Sequence, residues 1–350
     1  MSIVADTYQY VVGVDTHAAT HTLALIQASN AALQTTCTFP ASPTGMNRAI
    51  GWISQHTDGP TLIVIEGIGS YGAQLASVAA QAGYRIVEPF PIPANLRRGH
   101  GKTDPFDAHL IGKSVLDADI NKLRQPRDQQ GIRQALRVLT DARQAMNTER
   151  TRAINQLTAL ARTTNLGIDA RKALTKPQIR SIATWHTPTR WDPNSYPRRE
   201  AIRLARHIRT INTELADNQT RLEKLLAITP AGTTLLNIFG IGPITAAIIL
   251  VAWSHPGRIH SEAAFAALAG VNPIPASSGN TTRHRLNRGG DRTLNKALTA
   301  ITRTRLSKDP ATRTYRTKRL AQGKTPKEIT RILKRYLARQ LFRQLTQATT

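Results

Sequence analysis

The sequence predicts a mixed-sheet α/β domain at the N-terminus followed by a mostly α-helical remainder. Three observations predict it. Strand and helix signals alternate through the first 90 or so residues, two long heptad stripes follow, and the last third reads as short helices ending in a basic helical pair.

Residues 10–15 (Tyr-Val-Val-Gly-Val-Asp) read as a buried strand that ends in a polar turn, and residues 22–27 as a second strand returning from it. A third strand fits 33–39. Residues 42–55 have helical spacing, with Pro43 suited to a first helical position. The run Leu62-Ile63-Val64-Ile65 is a fully buried type of strand, closed by Glu66. A helix over 71–82 stops at Gly83, and 84–88 is a further strand. A hairpin first, then strands alternating with helices, gives a mixed sheet.

From about 126 the period changes. Ile132, Leu136, Leu139, Arg143, Met146, Arg150, Ala153, Leu157 and Leu160 recur at steps of four and three. Ala201, Leu204, Ile208, Ile211, Leu215, Asn218, Leu222 and Leu225 do the same, so two long helices are expected to pack as an antiparallel coiled coil. Between them 165–197, rich in Pro, Thr and Arg, is a loop-rich tip or small subdomain. Polar Arg143, Arg150 and Asn218 on the stripes either set register or mark loosened packing. The expected domains are 8–120, 121–228 and 229–350.

The chain of 350 residues carries 47 Lys and Arg against 22 Asp and Glu, a formal net charge of +25. The charge is uneven. Residues 1–90 hold two basic residues against five acidic, and 276–350 hold nineteen against three. A mildly acidic head on a strongly basic body fits catalysis on a polyanion, since such charge is costly to hold compact without one. The single Cys37 excludes an internal disulfide framework and a cysteine zinc site. No apolar run reaches membrane-spanning length and no signal peptide opens the chain, so a cytoplasmic, nucleoid-associated protein without a membrane partner is expected.

Four acidic residues stand out by position. Asp15 closes the first strand and Glu66 the later one, while Asp104 and Asp107 flank Pro105 in Lys102-Thr103-Asp104-Pro105-Phe106-Asp107. The i, i+3 spacing puts the last two on one helical face. A lone Asp at a strand end is usually a turn residue, and Asp-Pro-x-Asp is often a helix N-terminus that favours carboxylates. Glu66, directly after four apolar residues, is poorly placed for solvation and harder to dismiss. Clustered carboxylates repel unless divalent cations neutralise them, and hard oxygen donors favour Mg²⁺ or Mn²⁺. Such ions suit phosphodiester chemistry. His17 and His100 lie near these motifs and are expected to be peripheral.

A second constellation lies further on. Residues 236–243 (Leu-Asn-Ile-Phe-Gly-Ile-Gly-Pro) followed by 244–251 look like a helix-hairpin-helix, in which Gly240 and Gly242 let a phosphate approach. The plain alternative is a Gly-rich turn between packed helices. The loop Ser277-Ser278-Gly279 is followed by closely spaced arginines, an arrangement suited to attack of a hydroxyl on a phosphate. The candidate nucleic-acid contacts are Lys102, Gly240, Gly242, Arg283, Arg285, Arg288 and Arg292.

With these residues in view, Gly13-Val14-Asp15-Thr16-His17, Glu66-Gly67 and 102–108 together resemble the RuvC-like DEDD domain of a bacterial insertion-sequence transposase family, also called bridge-RNA-guided recombinases. The 236–292 stretch, with Gly270-Val271-Asn272-Pro273 and Ser277-Ser278-Gly279, resembles that family's C-terminal serine transposase domain. The resemblance implies an RNase H-like fold for about 8–120 and Mg²⁺ held by Asp15, Glu66, Asp104 and Asp107. It implies a covalent serine nucleophile that maps best to Ser278, with Ser277 adjacent. It also implies a homo-oligomer, a tetramer of two dimers, with active sites shared between subunits. The implied partners are a structured guide RNA and the donor and target DNA with which it pairs.

Rival readings are a RuvC-type junction nuclease that uses water, and a non-enzymatic nucleic-acid scaffold. An actin-like ATPase also ends its first strand in Asp, but needs a nearby glycine that Thr16-His17-Ala18 lacks.

Overall fold

The computed structural model describes residues 2–93, 96, 103–128, 130–188, 192–276 and 284–348. The chain forms two compact units, one of Met1–Gln130 with Trp253–His260 and one of Gly131–Ala252 with Ser261–Thr350.

The first unit opens with a one-turn helix, α1 (Val4–Thr7), too short to leave a periodic signal in the sequence. Strands β1 (Tyr10–Thr16), β2 (Thr20–Gln27) and β3 (Ala32–Pro40) then form an antiparallel meander. Helix α2 (Pro43–His56) starts where the Ser42 hydroxyl accepts the Gly45 N–H, with Pro43 in its first turn. Strand β4 (Thr61–Ile65), helix α3 (Ala73–Gln81), strand β5 (Arg85–Val87) and helix α4 (Asp104–Lys113) follow. The sheet order is β3-β2-β1-β4-β5, with β4 parallel to β1 and β5 parallel to β4. Every residue of β4, and all but the end residues of β1, are buried, as parallel strands covered on both faces require.

Side-chain alternation sorts the strand residues into two layers. Val12, Val14, Ile63 and Ile65 pack with Met46 and Ile53 of α2 and with Leu75 and Ala79 of α3. Val11, Leu62 and Val64 pack with Ile111 of α4 and with Val4 of α1. On this second face Gly13 brings the strand into backbone contact with α4. A Cβ built on Gly13 would lie 2.0 Å from the Ala108 carbonyl oxygen and 2.5 Å from the Gly112 nitrogen. One on Gly112 would lie 2.5 Å from Ile26 Cδ1. Helix and strand can meet this closely only where both lack side chains.

In the second unit α5 (Gly131–Thr163) and α7 (Tyr196–Ala227) run antiparallel, the arrangement the two heptad stripes predict. The direction is read from bonds between them. Arg143 Nη1 donates to Leu215 O at 2.9 Å and to Asn218 Oδ1 at 3.3 Å, and Asn218 Nδ2 donates to Leu139 O at 3.0 Å. Nearer the other end, His207 lies 2.9 Å from Glu149. Arg143 and Asn218 are thus bonded across the interface, while the buried Arg150 Nε has no hydrogen-bond partner among the described residues. The segment between the helices contains α6 (Lys176–Ala183), started by a capping box of Thr175 and Gln178. Ile179 and Ile182 of α6 pack with Leu157 of α5 and with Leu204 and Ile208 of α7, so this stretch is a small packed subdomain. Arg198 stacks over Trp185 at 4.4 Å, while Trp191 lies outside the described residues.

The unit continues with α8 (Pro230–Leu236), α9 (Pro243–Trp253), α10 (Glu262–Leu268), a two-residue hairpin β6 (Ile274–Pro275) and β7 (His284–Arg285), and helices α11 (Arg292–Lys308), α12 (Pro310–Ala321) and α13 (Pro326–Gln347). Among the described residues no helix is long and apolar enough to cross a membrane.

Two substitutions follow from the packing. Gly13→Ala should lower stability by roughly 1–3 kcal/mol or more, because no flexible atom can yield to the new methyl group. Gly51→Ala, in the body of α2 with nothing within 4 Å of the new Cβ, should raise it by about 0.5–1 kcal/mol. Urea denaturation of the full chain followed by circular dichroism checks both signs. In the second unit, Asn218→Ala leaves the half-buried Leu139 carbonyl and Arg143 guanidinium each one partner short. A loss of about 1–3 kcal/mol in the same assay is expected.

Candidate metal centre and nucleic-acid face

Asp15 stands one residue from the end of β1, on the face it shares with Val11 and Gly13, the face that α4 covers. Asp104 opens α4, where a carboxylate meets the positive end of the helix dipole, and Pro105 occupies the first turn. These two elements bring together residues far apart in the chain. Oxygens of Asp15 and Asp104 and a ring nitrogen of His17 all lie within 4.8 Å of one another. His17 Nε2 is 3.1 Å from Asp15 Oδ2 and 3.6 Å from Asp104 Oδ1, so the imidazole bridges the two carboxylates. The Asp15 side chain is 12% exposed, against 47% for His17 and 48% for Asp104, so the group is sheltered at Asp15 and open to solvent at the other two.

The other two predicted acids are placed differently. Val14 pairs with Ile65, and the Glu66 N–H continues the ladder to Val14 O at 3.1 Å, which sets Glu66 beside Asp15 in register. Thr16 Oγ1 donates to the Glu66 carbonyl at 2.9 Å and ties the two strand ends together. Glu66 is nonetheless exposed. The expectation that it is poorly solvated is corrected: the strand ends one residue before it, and its claim to the site rests on position. Asp107 lies one turn along α4 from Asp104 and is buried. Neither Glu66 nor Asp107 is part of the close group, which among the described residues consists of Asp15, His17 and Asp104. His17, expected to be peripheral, is thus a central member. Its signal in the sequence was its i+2 spacing from Asp15 at a strand end.

The donors suit a hard divalent cation. Two carboxylates and an imidazole, drawn from a strand end and a helix N-terminus, supply the oxygen-rich set that Mg²⁺ or Mn²⁺ takes.

In the second unit, α8 and α9 are joined by a turn in which Gly240 takes φ +87°, a conformation that favours glycine. Gly242 N–H donates to Thr245 Oγ1 at 3.0 Å, and the Thr245 hydroxyl is itself 2.9 Å from Gly242 O. The turn is therefore glycine-dependent and self-capped. Arg285, Arg288 and Arg292 are exposed and line one cavity of ≈ 910 Å³. Lys102, Ser277, Ser278 and Arg283 lie outside the described residues, as does His100.

Residues 12–165 match a model of DEDD transposases of the IS110 type, described as "Transposase", and residues 232–317 match one described as "Transposase IS116/IS110/IS902 family". Two stretches of the chain are thus similar to IS110-type transposase domains. It is 29% identical over 147 residues to the Insertion element IS110 uncharacterized 43.6 kDa protein of Streptomyces coelicolor, a match covering 42% of this chain and 36% of that one. It is 23% identical over 242 residues to protein y4rJ of Sinorhizobium fredii, named as a candidate transposase, over 63% of this chain and 59% of that one. The matched stretches span about a third and somewhat over half of these relatives. The first matched stretch contains the Asp15, His17 and Asp104 group, and the second contains the Gly240 turn and the cavity arginines.

Mn²⁺ titration of the full chain, followed by the paramagnetic resonance signal of the free ion, should show a site that Asp15→Asn weakens at least roughly tenfold. Asp104→Asn should do the same, with both variants keeping the circular dichroism of the parent.

Proposed function

We propose that the chain is an RNA-guided DNA recombinase of an insertion sequence, cutting and rejoining strands with Mg²⁺-bound carboxylates and a covalent serine. The observation that carries this reading is the meeting of the Asp15 and Asp104 carboxylates at the end of β1. A pair of like charges there is held at little cost when a cation joins them. Glu66, in register beside Asp15, and Asp107, one turn from Asp104, complete the four ligands. The first domain then has an RNase H-like fold, which the β3-β2-β1-β4-β5 order and the strand-end acids support.

A bound divalent cation supplies charge stabilisation at a phosphodiester. The chain's own residues do the rest. Asp15 and Asp104 fix the cation from rigid elements, and His17 sits where it can contact a phosphate oxygen or a carboxylate. The Ser278 hydroxyl, with Ser277 as the neighbouring alternative, attacks phosphorus. The new bond is Oγ–P, one strand P–O bond breaks, and the proton lost by the hydroxyl is balanced by one gained at the departing oxygen. The reversal of that exchange on a second strand end rejoins DNA without any outside energy source. Ile274–Pro275 pairs with His284–Arg285, so the chain leaves for the serine-bearing segment and returns at one place.

Guide RNA, paired with donor and target DNA, supplies the sequence reading. The basic second unit then needs to hold only backbone and shape. The complex is a tetramer of two dimers in which acidic domains and serine domains of different subunits meet.

Incubation with element-end DNA and the RNA that co-purifies with the protein tests the chemistry. Ser278→Ala should abolish the protein–DNA adduct seen on a denaturing gel while leaving DNA binding within about twofold, and Ser277→Ala should retain it. Asp15→Asn should lower cleavage by at least roughly a hundredfold. Cleavage without any adduct in the parent protein would replace this reading with that of a water-using junction nuclease.

A further inference from the structure

The cavity beside the β6–β7 hairpin is lined by cations from four elements. Arg285 comes from β7, Arg288 from the loop after it, Arg292 and Lys296 from α11, and Arg331, Lys334 and Arg335 from α13. Among the described residues none of these seven forms an ion pair. The nearby acids are bonded first to other groups, although Arg331 still helps lower the Glu328 pKa and Arg335 that of Glu262. Residues 276–350 contain three: Asp291 caps α11, Asp309 caps α12, and Glu328 accepts the Thr325 N–H in the capping box of α13. Among the described residues Glu328 is the only acid in the cavity wall, and its carboxylate is 2.8 Å from both the Thr325 nitrogen and hydroxyl. Lys334 donates to Asn295 Oδ1 at 2.6 Å, and burial pushes its ammonium below the usual lysine range. Arg335 Nη1 is buried with no hydrogen-bond partner among the described residues. A half-buried cation and an orphaned guanidinium nitrogen in the same wall call for an anion.

The wall is not only charged. Ile332, Leu286 and Tyr336 also line it. Leu286 and Tyr336 are 51% and 45% exposed, large apolar surfaces left uncovered among cations. The Tyr336 ring is braced edge-on by Tyr315 at 6.1 Å between centroids. A simple anion has no use for such a wall, and duplex DNA hides its bases from it. An unpaired strand offers phosphates to the cations and a free base face to the ring.

We infer that this cavity is a binding site for a short unpaired stretch of polynucleotide, with phosphates on Arg292, Lys296 and Arg331 and a base against Tyr336. The inference shares with the proposed function only the nucleic-acid substrate. It needs neither the carboxylates nor the serine.

Fluorescence anisotropy of the full chain in EDTA tests it, with labelled oligo(dT), oligo(U) and a duplex, each of about ten nucleotides or base pairs. Tyr336→Ala should weaken single-strand binding by about five- to a hundredfold and leave the duplex unchanged. Tyr336→Phe should restore single-strand binding. The double variant Lys296→Ala, Arg331→Ala should lower the slope of log affinity against log salt by about 1.4 for a single strand. A Tyr336 effect on oligo(dT) alone, on oligo(U) alone, or on both upholds the site and tells which strand it takes. Equal losses for duplex and single strands, or no loss on either, overturn it. Asp15→Asn leaves this binding intact, so a failure of the cleavage reading and a failure of this one are told apart.

Discussion

The first unit depends on one contact, the meeting of two backbones where β1 lacks a side chain at Gly13. Ala108 O and Gly112 N sit against that glycine. From this point the chain is measured out in both directions. Asp104 precedes Ala108 by one helical turn, about 6 Å along the axis, and Asp15 follows Gly13 by two strand residues, about 6.6 Å. Because the two offsets match, the carboxylates arrive at the same level. Any side chain at residue 13 lifts the helix from the sheet and moves Asp104 with it. The positions of the acids are set by a residue that has no functional group.

Charge in the second unit follows a similar economy. The few acids of the last 75 residues sit at helix starts, where they satisfy N–H groups that would otherwise lack partners. Further back, Glu262 holds Arg343 and Arg339 against α10 at 2.7 and 3.0 Å and is lowered in pKa chiefly by the Arg343 bond. The folding of these helices therefore uses up the negative charge locally available. What remains among the described residues is a surface where cations far outnumber acids, and its field extends outward until salt or a polyanion screens it.

Much of this was legible in the residues. Continuous apolar runs marked β1 and β4 as central strands, and the steps of four and three marked α5 and α7, because burial on both faces or on one stripe leaves a period that needs no partner to be seen. The convergence of Asp15 and Asp104 was legible as a pattern of acids at element ends. Other features had no local signature. Gly13 read as part of a motif, since nothing in its neighbours shows that a helix starting ninety or so residues later would rest on it. Glu66 followed an apolar run and looked buried, yet it is exposed because the strand stops one residue sooner. The two-residue strands β6 and β7 are too short for alternation, and Lys334 and Tyr336 read as ordinary members of a basic helix. The cavity they share with Arg285 exists only once the chain has folded back.

The first unit is discontinuous. Its second piece, Trp253–His260, is tied to the end of the first: Ser254 Oγ accepts the Asp128 N–H at 2.9 Å, and His255 Nε2 lies 2.9 Å from Pro126 O. A ribosome must therefore synthesise everything between residues 130 and 253 before the strap that closes the unit emerges. At ordinary elongation rates that is a delay on the order of ten seconds. During it the sheet can assemble but the Pro126 carbonyl and Asp128 N–H await His255 and Ser254, so the nascent chain holds its acidic group in an unfinished body until the strap emerges.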